Sequence, residues 1–370
     1  MSARFLTVVL ERAFNMRDGF GREIDYMRIS VIDSCNLNCY YCNPCDNNEH
    51  CHALNILSVK EVLCIVRAAT RLGIKHFRLT GGEPLLHPQI DEMVLQIKKI
   101  PGVSSVSLTT NAVLLAQHAK WLKEAGIDSI NVSLDTIDAS EYERITKKPL
   151  LEEVKHGINA AIECGIRVKI NVVLTPQTDV VALTRYVAKK GTDIRFIEMM
   201  PVGEGHTNGV EPYKKVIGTL SKLYGEPCRI NTEKTKEINS GNDKRKIPDN
   251  GPAEYYIFPE LGIRVGLIQA IHGKFCDTCN RIRVTADGRL MPCLGSSVTM
   301  DLVPDSWDFA DDAEKDFSIV RALRAAIKAK PRCHNFNDNA VTYTKTTETK
   351  TTEIEAAEVN AARNMSRIGG

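Results

Sequence analysis

The sequence predicts an α/β protein: an incomplete (βα)6 TIM-like barrel followed by a C-terminal antiparallel sheet extension. Three observations lead there. From Tyr26 to Pro201, short strand-like runs alternate with segments of helical periodicity six times over. The strand-like runs are mostly apolar, as expected of parallel strands covered by crossover helices. Beyond Pro201 the rhythm fades, and shorter strand-like runs return around an Asp287-Gly288 turn.

Taken in order, the barrel strands are expected over residues 27–32, 76–80, 104–110, 129–134, 167–174 and 193–198. Helices are expected over 58–72, where Ser58 and Glu61 form a capping box, and over 90–99, 115–125, 151–164 and 180–189. Six units fall two short of a closed eight-stranded barrel, which leaves a lateral opening for a sizeable substrate. Residues that carry chemistry follow the strands directly: Cys35 the first, Gly81 to Pro84 the second, Asn111 the third, Asp135 the fourth and Met199 to Pro201 the sixth. Residues 231–252 are polar and rich in helix breakers, an exposed excursion that includes Lys244, Arg245 and Lys246. Strands at 255–258, 263–268, 281–285 and 290–293 then form a small antiparallel unit over the barrel mouth, and a helix covers 313–328. The expected division is a barrel over 1–215 and a C-terminal region over 216–370.

Bulk properties narrow the function. A chain of 370 residues with 43% hydrophobic residues can bury a large core. Lys plus Arg is 48 against 46 for Asp plus Glu, so the net charge of +2 provides no long-range field for nucleic acid or an anionic membrane. No apolar run suits a membrane span or a secretion signal. Twelve cysteines in clustered spacings point to metal ligation in a reducing, cytoplasmic setting. Cys64 and Cys164 lie in apolar helical patterns and read as buried hydrophobes, while Cys45 and Cys51 read as loop thiols.

Two cysteine trios carry the chemistry. In CNLNCYYC, Cys35, Cys39 and Cys42 form a C-x3-C-x2-C loop whose thiolates can wrap onto three irons of a [4Fe-4S] cubane, leaving the fourth iron open. Zinc completed by His50 or a further cysteine is the alternative. The motif, with Tyr41 before its last cysteine, resembles that of the radical S-adenosylmethionine family, and Thr80-Gly81-Gly82-Glu83-Pro84 resembles the family's Gly-Gly-Glu-Pro segment. Glycines there let backbone approach a ligand, and Glu83 can accept from an ammonium group.

Downstream, FCDTCNRIRVTADGRLMPC holds Cys276, Cys279 and Cys293, which a hairpin at Asp287-Gly288 would bring together as a second [4Fe-4S] site. A structural zinc completed by His272 or Cys333 is the alternative. Arg281 and Arg283 alternate on one strand and so share a side, next to this trio. With Arg28, Arg78, Lys169 and Arg195 in the barrel strands, they suggest a triphosphate, because buried cations need a counter-charge.

The segments CNRIRVTADG and MSRIGG extend the likeness. Over roughly residues 18 to 295 and the last six, the chain resembles the GTP 3',8-cyclase (MoaA) family of molybdenum cofactor biosynthesis. The resemblance implies that Tyr41, Gly81, Gly82, Glu83, Asn111, Ser133 and Met200 surround S-adenosylmethionine. It implies that the second cluster's open iron takes the guanine of GTP while Arg22, Arg78, Lys169, Arg195, Arg281 and Arg283 surround the substrate. Arg281, Arg283, Gly369 and Gly370 are the implied catalytic residues, the glycine tail threading into the active site with Arg367 nearby. The implied reaction is reductive cleavage of S-adenosylmethionine to a 5'-deoxyadenosyl radical, abstraction of the ribose 3' hydrogen and closure onto guanine C8, giving 3',8-cyclo-7,8-dihydro-GTP. An external electron donor is needed, and members of the family are often homodimers. Three positions depart from the family pattern: His76 and His87 stand where basic residues are common, and Ala112 where glycine is. They leave open a paralogue acting on another nucleotide; a peptide-modifying enzyme is a more distant alternative.

Overall fold

The structure is a computed structural model that describes residues 16–42, 55–202, 209–230, 251–296, 298–302, 312–334 and 336. Gly369, Gly370, Arg367, Cys45, Cys51 and residues 231–250 therefore lie outside the described residues. The barrel half runs β1 (Tyr26–Ser30), α1 (Val59–Arg71), β2 (His76–Thr80), α2 (Ile90–Lys98), β3 (Ser105–Thr110), α3 (Leu115–Glu124), β4 (Ser129–Ser133), α4 (Ala139–Thr146), α5 (Leu151–Glu163), β5 (Val168–Val173), α6 (Val180–Lys189) and β6 (Asp193–Ile197). A π-helical turn at Tyr213–Ile217 continues into α7 (Gly218–Tyr224). Then come β7 (Cys228–Ile230), β8 (Glu254–Ile257), β9 (Arg264–Ile268), β10 (Arg281–Val284), β11 (Arg289–Met291), β12 (Met300–Asp301) and α8 (Asp312–Lys328). Among the described residues, no helix is long and apolar enough to cross a membrane.

Local chemistry accounts for the helix boundaries. Ser58 accepts from the Glu61 amide at 3.3 Å while Glu61 accepts from the Ser58 amide at 2.7 Å, so the expected capping box starts α1. Asp138 and Asp179 cap α4 and α6 through the amides of Glu141 and Ala182, at 2.8 Å and 2.9 Å. The Asp138-x-x-Glu141 pattern was the available signal for α4, a helix absent from the sequence expectation. Along α1, Val62, Ile65, Val66 and Ala69 are buried, forming the apolar stripe that seats the helix on the sheet.

Among the described residues one sheet holds all the strands, in the order β12-β11-β10-β1-β2-β3-β4-β5-β6-β9-β8-β7. The C-terminal region does provide antiparallel strands, but not as a separate layer over the mouth. Instead β10 pairs parallel with β1, and β9 pairs parallel with β6, so the six barrel strands gain a parallel neighbour at each edge. Antiparallel β11–β12 and β8–β7 flank them. The two edges also meet: His334 Nε2 bonds the Ala270 carbonyl at 2.8 Å, and Met200 and Val202, after β6, pack with Met291 and Phe336. The sheet is therefore curled.

Its two faces differ in chemistry. Met27, Ile29, Phe77, Leu79, Ile194 and Phe196 are fully buried on the helix side. The alternate positions are polar, and register carries them from strand to strand. Arg283 pairs with Arg28 and Arg28 with Arg78, while Asn131 pairs with Lys169 and Asn171 with Arg195. The inner face is thus a cationic and amide surface in place of the Val, Ile and Leu layers that fill an ordinary closed barrel.

Ala112 tests a departure from the family pattern. Its φ of 67° places a side-chain-bearing residue in the left-handed region. Its carbonyl also lies where any Cβ on Gly157 of α5 would go, so the turn is fixed by close packing. Ala112→Gly is expected to stabilise the protein by about 1 kcal/mol, relief of strain outweighing the entropy of the unfolded glycine. Urea unfolding of the two proteins measures it.

Candidate active site

The first trio sits at the C-terminal end of β1, in a loop held from both sides. The Gly82 amide donates to the Ile32 carbonyl and the Glu83 amide to the Ser34 carbonyl, each at 2.7 Å. A Cβ on Gly81 would collide with the Ile32 carbonyl and one on Gly82 with that of Ser34, which is why glycine is needed at both. The glycines thus let this turn approach the cysteine loop itself. On the other side, the amides of Asn38 and Tyr40 donate to the carbonyls of Thr146 and Ile145, at 3.0 Å and 3.1 Å, so α4 is the second wall.

Side chains complete the frame. The Tyr41 hydroxyl donates to Asp135 at 2.5 Å, and the same carboxylate accepts from the Val173 amide at 2.7 Å. Asn111 reaches Asn36 Oδ1 at 2.7 Å and the Cys35 sulfur at 3.8 Å. Glu83, 1% exposed, accepts from Thr110 Oγ1 and the Asn111 amide at 2.7 Å and from the Leu85 amide at 3.0 Å. In this arrangement Tyr41 and Glu83 brace the loop. Ser133 ends β4 at the same rim, in register with Asn171.

Burial pushes Glu83 up to about 7 from its usual 4.5, the three hydrogen bonds offsetting only part of the cost. Its folded-state pKa lies above the unfolded one, so between these values the native state holds a proton that the unfolded chain has released. Stability from this group falls as pH rises through that window, by about 3 kcal/mol at most. Glu83→Gln, which cannot ionise, is expected to gain on the wild type as pH rises from about 5 to about 8, measured by urea unfolding of the cluster-free protein.

The thiols themselves fit a cluster. Burial first, then Cys42, Asp135 and Cys35, push Cys39 well above the usual thiol range; burial and Cys35 push Cys42 up to about 12. Cys35 is the exposed member of the trio, yet desolvation by the protein packed around it still takes its thiol up to about 11. Three adjacent thiols that oppose one another's ionisation become thiolates together only with a cation among them. The frame supplies such a set, although among the described residues no three such donors converge at the spacing a single metal ion requires.

The second trio lies at the opposite end of the β1–β10 pair. Because β10 is parallel to β1, Cys276 and Cys279, which precede it, share the N-terminal end of β1; Asn280 Nδ2 donates to Asp25 there at 2.7 Å. This corrects the expected position over the mouth. The five residues of β1 separate the trios by about 13 Å of strand.

Arg22 also departs from expectation. It pairs with Asp18 at 2.5 Å and donates to the carbonyls of Cys276, Arg332 and Pro331 at 2.7, 2.9 and 2.6 Å. Its guanidinium braces the second trio instead of facing a substrate. His272, one candidate to complete a zinc site, is tied through Nδ1 to Glu198. Cys333, the other, is exposed but close enough to raise Cys276, behind the larger effects of burial, Cys293 and Cys279.

Between the trios runs the inner face. Burial and Arg281 lower Arg283 to about 10, and burial and Arg283 hold Arg28 well below the usual guanidinium range. Crowded, buried cations of this kind are relieved by a polyanion. Arg78 donates from Nε to the Tyr26 hydroxyl and from Nη1 to Thr109 at 3.3 Å. Burial would raise the Tyr26 phenol, yet Arg78, Arg28 and Arg281 draw it below its usual value. Arg195 donates to Asn171 at 2.9 Å, but its Nη2 and the side-chain Oδ1 of Asn131 are buried without hydrogen-bond partners among the described residues. Opposite Arg195 stands Gly266, where a Cβ would come within 2.8 Å of Arg195 and 2.9 Å of Tyr255. Lys169 is buried, 5.9 Å from the Tyr255 ring centre. Tyr26, Asn131 and Asn171 were missed from sequence; the signal was a polar side chain two positions from Arg28 for Tyr26, from Lys169 for Asn171 and from Ser133 for Asn131.

A curled parallel sheet with this cysteine loop and glycine turn at a strand end defines the radical S-adenosylmethionine class, and residues 29–182 match the Radical SAM superfamily. Residues 192–336 match the family described as Molybdenum Cofactor Synthesis C. Among solved structures, SuiB of Streptococcus suis bound to S-adenosylmethionine shares the fold with a TM-score of 0.53 and 15% identity, covering 80% of this chain and 68% of that one. Native anSMEcpe with bound AdoMet does so at 0.52 and 18%, covering 82% and 84%.

Proteins named GTP 3',8-cyclase are nearer in sequence. That of Clostridium perfringens strain SM101 is 36% identical over 87% of this chain and 95% of its own, and that of Peptoclostridium acidaminophilum 37% identical over 87% and 94%. The chain belongs to the GTP 3',8-cyclase family.

Proposed function

We infer that this protein is a GTP 3',8-cyclase, a lyase of molybdenum cofactor biosynthesis. The observation that carries the reading is the cationic inner face lying between two cysteine trios at opposite ends of the same strands. That face suits a nucleoside triphosphate held along the strands, with its ends near different trios.

Cys35, Cys39 and Cys42 would hold the cluster that meets S-adenosylmethionine, with Gly81, Gly82, Glu83, Asn111, Ser133 and Met200 around it. Cys276, Cys279 and Cys293 would hold a second cluster at the guanine end. When bound, the first cluster and S-adenosylmethionine supply an electron and the 5'-deoxyadenosyl radical that removes the ribose 3' hydrogen.

The chain's own residues supply the rest. Arg28, Arg78, Arg283 and Arg195 neutralise the triphosphate, and Lys169, Asn131 and Asn171 provide further donors and acceptors along it. Anchoring both ends of the substrate restricts which hydrogen is reached and brings C3' against C8 of the same molecule. The cyclised substrate radical then takes up one electron from an external donor and one proton, so the product is an isomer of GTP. Gly369 and Gly370 we place at this site as a tail without side chains.

Incubating the anaerobically reconstituted protein with S-adenosylmethionine, reductant and each of GTP, ATP and CTP tests the reading. A product isomeric with GTP, formed from GTP alone, is expected. Consumption of another nucleotide in preference to GTP would instead favour the paralogue to which His76, His87 and Ala112 leave room.

A further inference from the structure

Lys330 follows α8 by two residues, and sequence position alone suggests an exposed helix-end lysine. It is 4% exposed. Its ammonium donates to the Arg281 carbonyl and to the Pro292 carbonyl, each at 2.8 Å, and also hydrogen-bonds the Cys279 side chain. One lysine therefore touches the strand that follows Cys279, the residue before Cys293, and a thiol of the trio.

No carboxylate pairs with this ammonium among the described residues; its partners are carbonyls and sulfur. A buried ammonium needs negative charge nearby. Arg281, next to the same thiol, makes the local surplus of positive charge larger. Three thiolates on an iron-sulfur cluster would provide the missing charge, and a charged donor on a ligating sulfur favours the reduced, more negative state of a cluster.

We propose that Lys330 is a positioning residue for the second cluster, holding Cys279 and Cys293 in place and raising the cluster's reduction potential through its charge on the Cys279 sulfur. The proposal rests on the reading that Cys276, Cys279 and Cys293 hold a cluster.

The test is iron and sulfide analysis with a redox titration followed by electron paramagnetic resonance, on full-length, anaerobically reconstituted wild type, Lys330→Gln and Lys330→Arg. Glutamine keeps a donor for the carbonyls without the charge; arginine keeps the charge. Expected is a second-cluster potential in Lys330→Gln lower by at least the equivalent of a tenfold change in the reduction equilibrium, about 59 mV for one electron, with the first cluster unmoved and Lys330→Arg close to wild type. Loss of the second cluster from Lys330→Gln but not from Lys330→Arg also supports the proposal. An unchanged potential in a fully loaded Lys330→Gln overturns it, as does loss of the second cluster from both variants, which marks a packing role. A single cluster in the wild type overturns the underlying reading itself.

Discussion

Replacing Cys279 by alanine is expected to abolish GTP consumption while leaving S-adenosylmethionine cleavage in place; replacing Cys39 is expected to abolish both. The difference follows from where the trios sit. Cys39 belongs to a loop fixed by the Gly82 and Glu83 amides on one side and by Ile145 and Thr146 on the other. Cys279 is fixed by Lys330 and its neighbour Cys276 by Arg22, at the other end of β1. The two loops are held by different residues, so one site can be lost without collapse of the other. On the proposed reading, in which each trio holds one four-iron cluster, iron should fall from about eight to about four per chain in either variant. Deoxyadenosine formation then separates them: absent in Cys39→Ala, present and uncoupled from GTP in Cys279→Ala.

Arg195→Ala is expected to raise the KM for GTP by about 10- to 100-fold, the equivalent of about 1.5–3 kcal/mol for a charge-assisted hydrogen bond. The side chain is 4% exposed, its orientation is set by Asn171, and Gly266 leaves it room. Its Nη2, without a partner among the described residues, is a donor available to an anion. Lysine keeps the charge but lacks the planar fork that reaches Asn171 and a phosphate together, so Arg195→Lys should recover only part of the loss. Cleavage of S-adenosylmethionine without GTP should be unchanged, which distinguishes a lost substrate contact from damage to the barrel.

The barrel was legible because its strands are short apolar runs set between helical segments: β2 and α6 fall at the expected residues and the other expected elements within two, while α4 was not expected. What local pattern does not encode is the partner of a strand. Runs at 263–268 and 281–285 read as antiparallel because the βα rhythm fades before them, whereas β9 and β10 take parallel places at the edges of the barrel sheet. That choice moved the second trio from the mouth to the far end of β1. The two cysteine trios and the cations of the barrel strands stood out from spacing and resemblance. Arg22 was assigned to substrate because the Asp18 and carbonyl partners that occupy it come from segments up to 310 residues away. Lys330 was passed over for the converse reason, since burial of a lysine after a helix depends on what the helix packs against. Tyr41 and Glu83 were recognised, but their hydrogen bonds to Asp135, Thr110 and Asn111 show bracing that a motif cannot convey.

The most direct measurement of the central claim, a substrate held between the trios so that its ribose C3' faces the radical source, is the fate of deuterium placed at C3' of GTP. Transfer of that label into 5'-deoxyadenosine, together with a product of the same mass as label-depleted GTP, is the result expected of this geometry. Unlabelled deoxyadenosine, formed while the label stays on the nucleotide, would contradict it.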